Sequence, residues 1–252
     1  MNRAHNHSRL TDITPYQPVR TISAVIPTLN EGGHIRECIE SVLKQPRISE
    51  VIVSDSGSTD NTGVFASKSG AQVIQSRHRG RGFQIFDGIS HTSGDAILTI
   101  HADCRLTKGA SNRLLTTLNT NPTLAGGAFG MSFSSRMYRL ASIALLNNLR
   151  ARFTGISFGD QGQFFRREAL AQIGGFPRQM LMEDVELSLR LRSVGGIAFL
   201  PRGILVSARR WNAQPFTSHT VQVLGLFARY LLARRNGCIE KITGDYYKQY
   251  YS

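Results

Sequence analysis

Four short apolar runs, each followed by a polar or amphipathic stretch, most constrain how residues 21–105 can fold. Thr21–Pro27, Glu50–Ser54, Ala71–Gln75 and Ile97–Ile100 are rich in Val and Ile and read as buried strands. Between the first two, His34–Gln45 sets Ile35, Cys38, Ile39, Val42 and Leu43 at the spacing of an amphipathic helix, with Pro46 just past its end. Asp55–Thr62 is a dense turn and cap sequence that opens a helix near Val64–Ser69. A basic glycine loop, Arg77–Gly82, precedes a helix over Phe83–His91. Strand and helix alternating in such short units imply an α/β chain with a doubly wound, mostly parallel sheet and helices on both faces.

The second half continues less regularly. A helix is expected over Gly109–Thr120, a strand over Gly126–Phe133, and a helix over Arg136–Arg152 with its apolar residues on one side. Gly159–Phe165 reads as a glycine turn running into a strand, Arg167–Gly174 and Met182–Val194 as helices, and Ile197–Leu200 and Ile204–Val206 as two short strands. Val221–Arg235 is a basic amphipathic helix, in which Val223, Leu224, Phe227 and Leu231 would pack and Arg229, Arg234 and Arg235 would stay in water. The division expected is a loose leader over residues 1–20, one domain over 21–215 and a helical extension over 216–252.

Charge is uneven along the 252 residues. Of a net +13, residues 131–252 contribute +10, with 17 Lys/Arg against 7 Asp/Glu. Such a surface faces something anionic: a diphosphate, a lipid surface or nucleic acid. A nucleic-acid binder should interleave aromatics with its cations, and the basic half, with Trp211 as the chain's one Trp, does not. Cys38, Cys104 and Cys238 form no CxxC pair, which suits a reducing cytosol rather than a disulfide scaffold. The N-terminus has no apolar signal-like region, and no uncharged apolar stretch approaches the ~20 residues of a membrane span. A cytoplasmic protein is expected, with contact to the inner membrane face through the basic C-terminal helix as the peripheral alternative.

The chemistry gathers where strands end. Ile97–Ile100 stops at His101-Ala102-Asp103, and in open α/β sheets the ligand crevice lies beyond the carboxyl ends of the strands. Asp103 could instead cap the next turn, and His101 could be partly buried filler. Three further stretches stand with it: Val25-Ile26-Pro27-Thr28-Leu29-Asn30-Glu31, Val53-Ser54-Asp55-Ser56-Gly57-Ser58-Thr59-Asp60, and Met182-Glu183-Asp184. In order and type, all four resemble the family-2 glycosyltransferases of the GT-A fold, from about Ser23 to Trp211. Within that family the chain looks most like small bacterial enzymes, some of them associated with arsenosugar biosynthesis.

The resemblance implies a single GT-A-like domain and transfer of one sugar from a nucleotide-diphosphate sugar, UDP-hexose by default, to a small-molecule or lipid acceptor. It places Mn2+ or Mg2+ at Asp103, with His101 standing where the family's Asp-x-Asp motif has its first Asp. Imidazole suits Mn2+ better than Mg2+. Pro27, Thr28, Asn30, Glu31, Asp55, Arg81 and Ala102 become candidates for the nucleotide, although turn and cap duty explains several of them as well. Asp184 becomes the base that takes the acceptor's proton, with Glu183 beside it; acidic residues also favour a helix's first turn for reasons of dipole alone. One base without a second nucleophilic carboxylate implies inversion. Asp160 and Gln161 are candidates for the acceptor side. Arg210 and Trp211 are candidates for the diphosphate and acceptor, in a stretch where Ser207 replaces the Gln of processive members. A sugar-nucleotide binder without turnover remains open, as does, less readily, a nucleotidyltransferase.

Overall fold

In the computed structural model, which describes residues 14–135, 137–209 and 216–237, all seven residues of β1 (Ile22–Thr28) are buried. They are buried because β1 is paired on both sides and covered on both faces. Ile22, Ala24 and Ile26 point to one face, where they meet Ile35, Cys38, Ile39 and Val42 of α1 (Ile35–Leu43) and Leu114 and Leu118 of α4 (Ala110–Thr120). Val25 points to the other, with Ile85 of α3 (Arg81–Ile89), Leu170 of α6 (Arg167–Gln172) and Leu187 and Leu191 of α7 (Glu183–Leu191). The period-2 alternation of the strand thus feeds two cores.

Seven more strands complete the sheet: β2 (Ile48–Asp55), β3 (Gln72–Gln75), β4 (Ala96–Thr99), β5 (Cys104–Leu106), β6 (Leu124–Phe133), β7 (Gln163–Arg166) and β8 (Gly196–Val206). Their order is β3-β2-β1-β4-β7-β6-β8-β5. β1 pairs in parallel with β2 and β4, β2 with β3, and β6 with β8. β7 runs antiparallel to β4 and β6, and β5 antiparallel to β8. The remaining helices are α2 (Thr62–Lys68), α5 (Tyr138–Thr154) and α8 (Phe216–Arg235). The mostly parallel α/β sheet with helices on both faces is as expected, and no helix of the described residues is long and apolar enough to cross a membrane.

Four expectations need correction. Residues 14–20 are not loose: Tyr16 and Val19 are buried, Tyr16 donates to the Val194 carbonyl at 2.8 Å, and the Val19 amide donates to Asn119 Oδ1 at 2.8 Å. The two short strands at 197–206 are one, β8, which bulges at Arg202 (φ 59°) and Gly203 (φ 153°). Helix α5 is apolar on two sides: Leu140, Ile143, Ala144 and Ala151 face inward while Tyr138, Leu145, Leu146, Leu149 and Phe153 are exposed. On α8 Phe227 packs against Phe158 as expected and Leu226, Tyr230 and Ala233 are buried, whereas Leu231 is exposed and Arg234 is paired with Glu186 at 2.8 Å; the side chains of Val223 and Leu224 lie outside the described residues.

Arg166 at the end of β7 is buried without a carboxylate partner among the described residues. Its guanidinium donates instead to the carbonyls of Leu124 (2.8 Å), Gln17 (2.6 Å) and Leu118 (2.5 Å), joining three segments. Removing the donors strands those acceptors. Arg166→Met is expected to destabilise the fold by roughly 3 kcal/mol in urea unfolding, with an unchanged m-value.

Candidate active site

The strand ends bring the four stretches to one rim. Thr28 lies opposite Asp55 in the β1–β2 register, and the Thr28 hydroxyl donates to Asp55 Oδ1 at 2.9 Å. On the other side of β1, the Ile100 amide donates to the Val25 carbonyl, which sets His101-Ala102-Asp103 beside the end of β1. Gln84 of α3 ties the rim from one face, donating to the carbonyls of Thr28 (2.6 Å) and Ser54 (3.1 Å). Asp103 is held by its backbone, its carbonyl accepting from the Ser207 amide at 3.0 Å.

At Asp55 the carboxylate is filled from within. Oδ1 accepts from Thr28 and Ser58 hydroxyls, and Oδ2 from the amides of Gly57 (3.1 Å) and Ser58 (2.9 Å). That accounts for the four acceptor positions a carboxylate offers. Asp55 therefore shapes the loop after β2, and a ligand bond to it would replace one of these. Asn30, in the left-handed region at φ 55°, accepts the Thr59 amide on Oδ1 at 2.9 Å and presents its own amide to Ser58 Oγ. Asp60 binds the amides of Gly32 and Thr62 and is a turn anchor. Glu31 is buried, and its carboxylate pairs with Arg209 at 3.0 Å. Pro27 and Ala102 present backbone at the rim; Ala102 is buried.

Across the crevice stands the first turn of α7. Met182, its N-cap, sits at φ 62°, a left-handed conformation that a non-glycine residue holds at a cost of about 1–2 kcal/mol. The turn that follows buries Glu183 and Asp184. Arg81, the first residue of α3, places Nε 2.9 Å from Glu183 Oε1 and Nη2 3.9 Å from Asp184 Oδ2. This approach explains the glycine that follows Arg81 in α3. A Cβ on Gly82 would lie 2.3 Å from the Gln179 carbonyl oxygen, so a side chain there would push α3 away from the segment leading into α7. Arg81 thus faces carboxylates, where the sequence suggested a phosphate.

The 3-10 turn Gly159–Gln161 closes the site. The Gly159 amide donates to Asp184 Oδ2 at 2.7 Å. A Cβ on Gly159 would fall 2.4 Å from His101 Nε2 and 3.5 Å from Asp184 Oδ2, so only glycine lets the imidazole and the carboxylate converge there. Beside it, Asp160 Oδ1 is shielded from solvent and has no hydrogen-bond partner among the described residues. Burial pushes the Asp160 carboxyl up to about 6; Asp184 and Asp103 raise it further, while Arg150 and Arg81 oppose them. Glu183 is pushed up to about 7, chiefly by burial, with Arg81 opposing and Asp184 adding. Asp103, Asp160 and Asp184 therefore lie within electrostatic reach of one another.

Gln161 does not line the crevice. It is fully buried, its Oε1 accepting from Arg150 Nη2 (2.9 Å) and the Phe158 amide (3.1 Å). The hydrogen bonds available to it are met inside the chain, so its part is to fix the turn that carries Asp160. Arg210 and Trp211 lie outside the described residues.

Several residues matter here that sequence reasoning passed over. Arg150 of α5 lies over the Phe158 ring at 3.4 Å and reaches Gln161; burial lowers it to about 10. Gln163 of β7 donates to the Asp184 carbonyl (2.9 Å) and the Ser188 hydroxyl (3.0 Å), pinning the first turn of α7. Glu186 on that turn accepts from Tyr230 (2.7 Å) and Arg234 (2.8 Å), which docks α8 against it. Their only sequence signal was polarity at positions that helix and strand periodicity assign to the interior.

Comparison with known proteins agrees with this geometry. A family model described as glycosyl transferase family 2 matches residues 23–174. A glucosyl-3-phosphoglycerate synthase of Mycobacterium tuberculosis is 38% identical over 94 residues, 33% of this chain and 29% of that protein. An undecaprenyl-phosphate 4-deoxy-4-formamido-L-arabinose transferase of Klebsiella pneumoniae is 27% identical over 162 residues, 60% of this chain and 49% of that protein. The matched stretches thus span less than half the length of these two relatives. A crystal structure of the M. tuberculosis synthase in complex with Mn2+, uridine-diphosphate and glucosyl-3-phosphoglycerate superposes with a TM-score of 0.58 at 25% identity, covering 89% of this chain and 80% of that one. The family match takes in more than half of the chain and three of the four stretches at the rim, with Met182-Glu183-Asp184 beyond its end, and the chain belongs to glycosyl transferase family 2.

Proposed function

We propose that this chain is an inverting glycosyltransferase that moves one sugar from a nucleotide-diphosphate sugar, UDP-hexose by preference, to an acceptor hydroxyl. The observation that carries the reading is the rim where Asp103 and Asp184 both act on Asp160, whose Oδ1 is buried and has no hydrogen-bond partner among the described residues. Like charges within reach of one another repel, and a cation held at Asp103 would relieve the repulsion, although among the described residues no group of three or more His, Cys, Asp or Glu is drawn together as a metal site. The donor set, carboxylate and imidazole, fits Mn2+ and, less well, Mg2+. Asp103 and His101 would hold it. When bound, such an ion neutralises charge on the leaving diphosphate.

The chain's own residues do the rest. Thr28, Asn30 and Glu31, with the Asp55 loop behind them, frame the nucleotide side of the crevice. Asp184 takes the proton from the acceptor hydroxyl as it attacks. The Gly159 amide and Arg81 hold that carboxylate in one orientation, so no reorganisation is needed at the moment of reaction. With Asp184 as the single base and no covalent sugar-enzyme intermediate, the configuration inverts. The nucleotide preference rests on the solved relative that binds uridine-diphosphate with Mn2+. The acceptor is a small molecule or a lipid, as in the two curated relatives by their names.

Two outcomes are expected. In a thermal-shift panel of UDP, GDP and their hexoses, with and without Mn2+, a UDP ligand with Mn2+ should raise the melting temperature most. Asp184→Asn should keep that shift while release of UDP in the presence of acceptor falls by ~10³-fold or more. An unchanged turnover would mean that Asp184 is not the base. The second concerns pH and needs no ligand. Asp160 holds its proton to about 6 when folded and to about 3.9 when unfolded, so ionising it weakens the folded state between those values. Asp160→Asn removes this penalty. The variant's stability relative to the parent chain should rise from pH 4 to pH 6 and then level off, read by urea unfolding.

A further inference from the structure

Helix α5 carries a second surface on the side away from the site. Seen down its axis, Tyr138, Leu145, Leu149 and Phe153 fall in one stripe, at spacings of seven, four and four residues, with Leu146 beside it. All five are exposed, Tyr138 at 92%, Phe153 at 78% and Leu146 at 65%. The stripe spans 16 residues, ~22 Å at the rise of an α-helix. An exposed apolar face of this kind, here interrupted by Ser142, marks an interaction surface.

What flanks the stripe identifies its partner. Arg139 borders it on one side and Arg152 on the other, both exposed, and α5 contains no acidic residue. An apolar stripe between cations is the pattern of a helix lying in the plane of an anionic bilayer, apolar side chains among the acyl chains and arginines at the phosphates. The charge balance agrees, since +10 of the net +13 lies in residues 131–252. The sequence pointed to the C-terminal helix for this role. There, Leu226, Tyr230 and Ala233 are buried and Arg234 is paired with Glu186, so α8 is turned toward α7.

We propose that α5 docks the protein on an anionic membrane surface through Tyr138, Leu145, Leu146, Leu149 and Phe153, with Arg139 and Arg152 at the headgroups. The inner face of the same helix carries Arg150, which reaches Gln161 next to Asp160. Docking would therefore hold the crevice about one helix diameter, ~10 Å, from the interface. The surface does not depend on the transfer reading, because it is measured without substrate.

The test is co-sedimentation of the full chain with vesicles of phosphatidylcholine alone and of phosphatidylcholine with phosphatidylglycerol. Binding is expected on the anionic vesicles and should weaken with added salt. Leu146→Glu with Phe153→Glu should lower the partition coefficient about tenfold or more. Arg139→Gln with Arg152→Gln should lower it on anionic vesicles and leave the weak binding to neutral ones unchanged. Leu232→Glu, an exposed position on α8, should change neither. The substituted side chains on α5 are exposed, so an unchanged thermal melt should accompany each variant. No binding to anionic vesicles, or binding indifferent to the α5 substitutions, overturns the proposal. So does a dimer in light scattering that Leu146→Glu with Phe153→Glu turns into monomer, which would make a second copy the partner.

Discussion

Carboxylates brought within reach of one another at the sheet rim, Asp103, Asp160, Glu183 and Asp184, are the constraint that the supports around the site answer. Asp103 ends the turn after β4, Asp160 rides on a 3-10 turn, and Asp184 lies in the first turn of α7, so three distant parts of the chain bring like charges within electrostatic reach of one another. Asp184 and Asp160 are held there by groups that make the crowding tolerable. Arg81 reaches Glu183 and Asp184 from the start of α3. The Gly159 amide binds Asp184, and Arg150 lowers the Asp160 carboxyl against the opposing burial. Those supports stop short of neutralising the corner, because Asp160 Oδ1 keeps no partner among the described residues.

The supports in turn explain features farther out. Gly82 permits α3 to approach the segment before α7, and Met182 turns that segment sharply into its helix. Gln163 fastens the first turn of α7 to β7, and Glu186 fastens it to Tyr230 and Arg234 of α8. The C-terminal helix is thereby coupled to the turn that carries Glu183 and Asp184. Part of the chain's basic excess is also accounted for internally: Arg81, Arg150, Arg209 and Arg234 all face acidic or polar partners of their own.

Much of this was legible before any coordinates. The strands β1, β2 and β4 announce themselves because strands buried on both faces must be apolar throughout. The motifs at their ends follow from chain geometry, since the carboxyl ends of parallel strands meet at one edge. What stayed hidden has equally physical reasons. β5 is three residues long, too short to show any period. The outward apolar stripe of α5 looked like core because periodicity reports a hydrophobic face without saying what covers it. Gln161 looked like a site residue because it adjoins Asp160, yet a residue's neighbour in a tight turn points the opposite way. Arg150 and Gln163 take their importance from partners 11 and 21 residues away, which no local pattern reveals.

If the corner is built to receive a cation with a diphosphate, loading it must drive off protons that repulsion and burial now retain. The direct measurement is calorimetric titration with UDP and Mn2+ at pH 6, repeated in buffers of different ionisation enthalpy, for the parent chain and Asp160→Asn. The account predicts that the parent chain releases a larger fraction of a proton on binding than the variant does, because Asp160 titrates at about that pH. Equal release from both, or proton uptake by the parent chain, would contradict it.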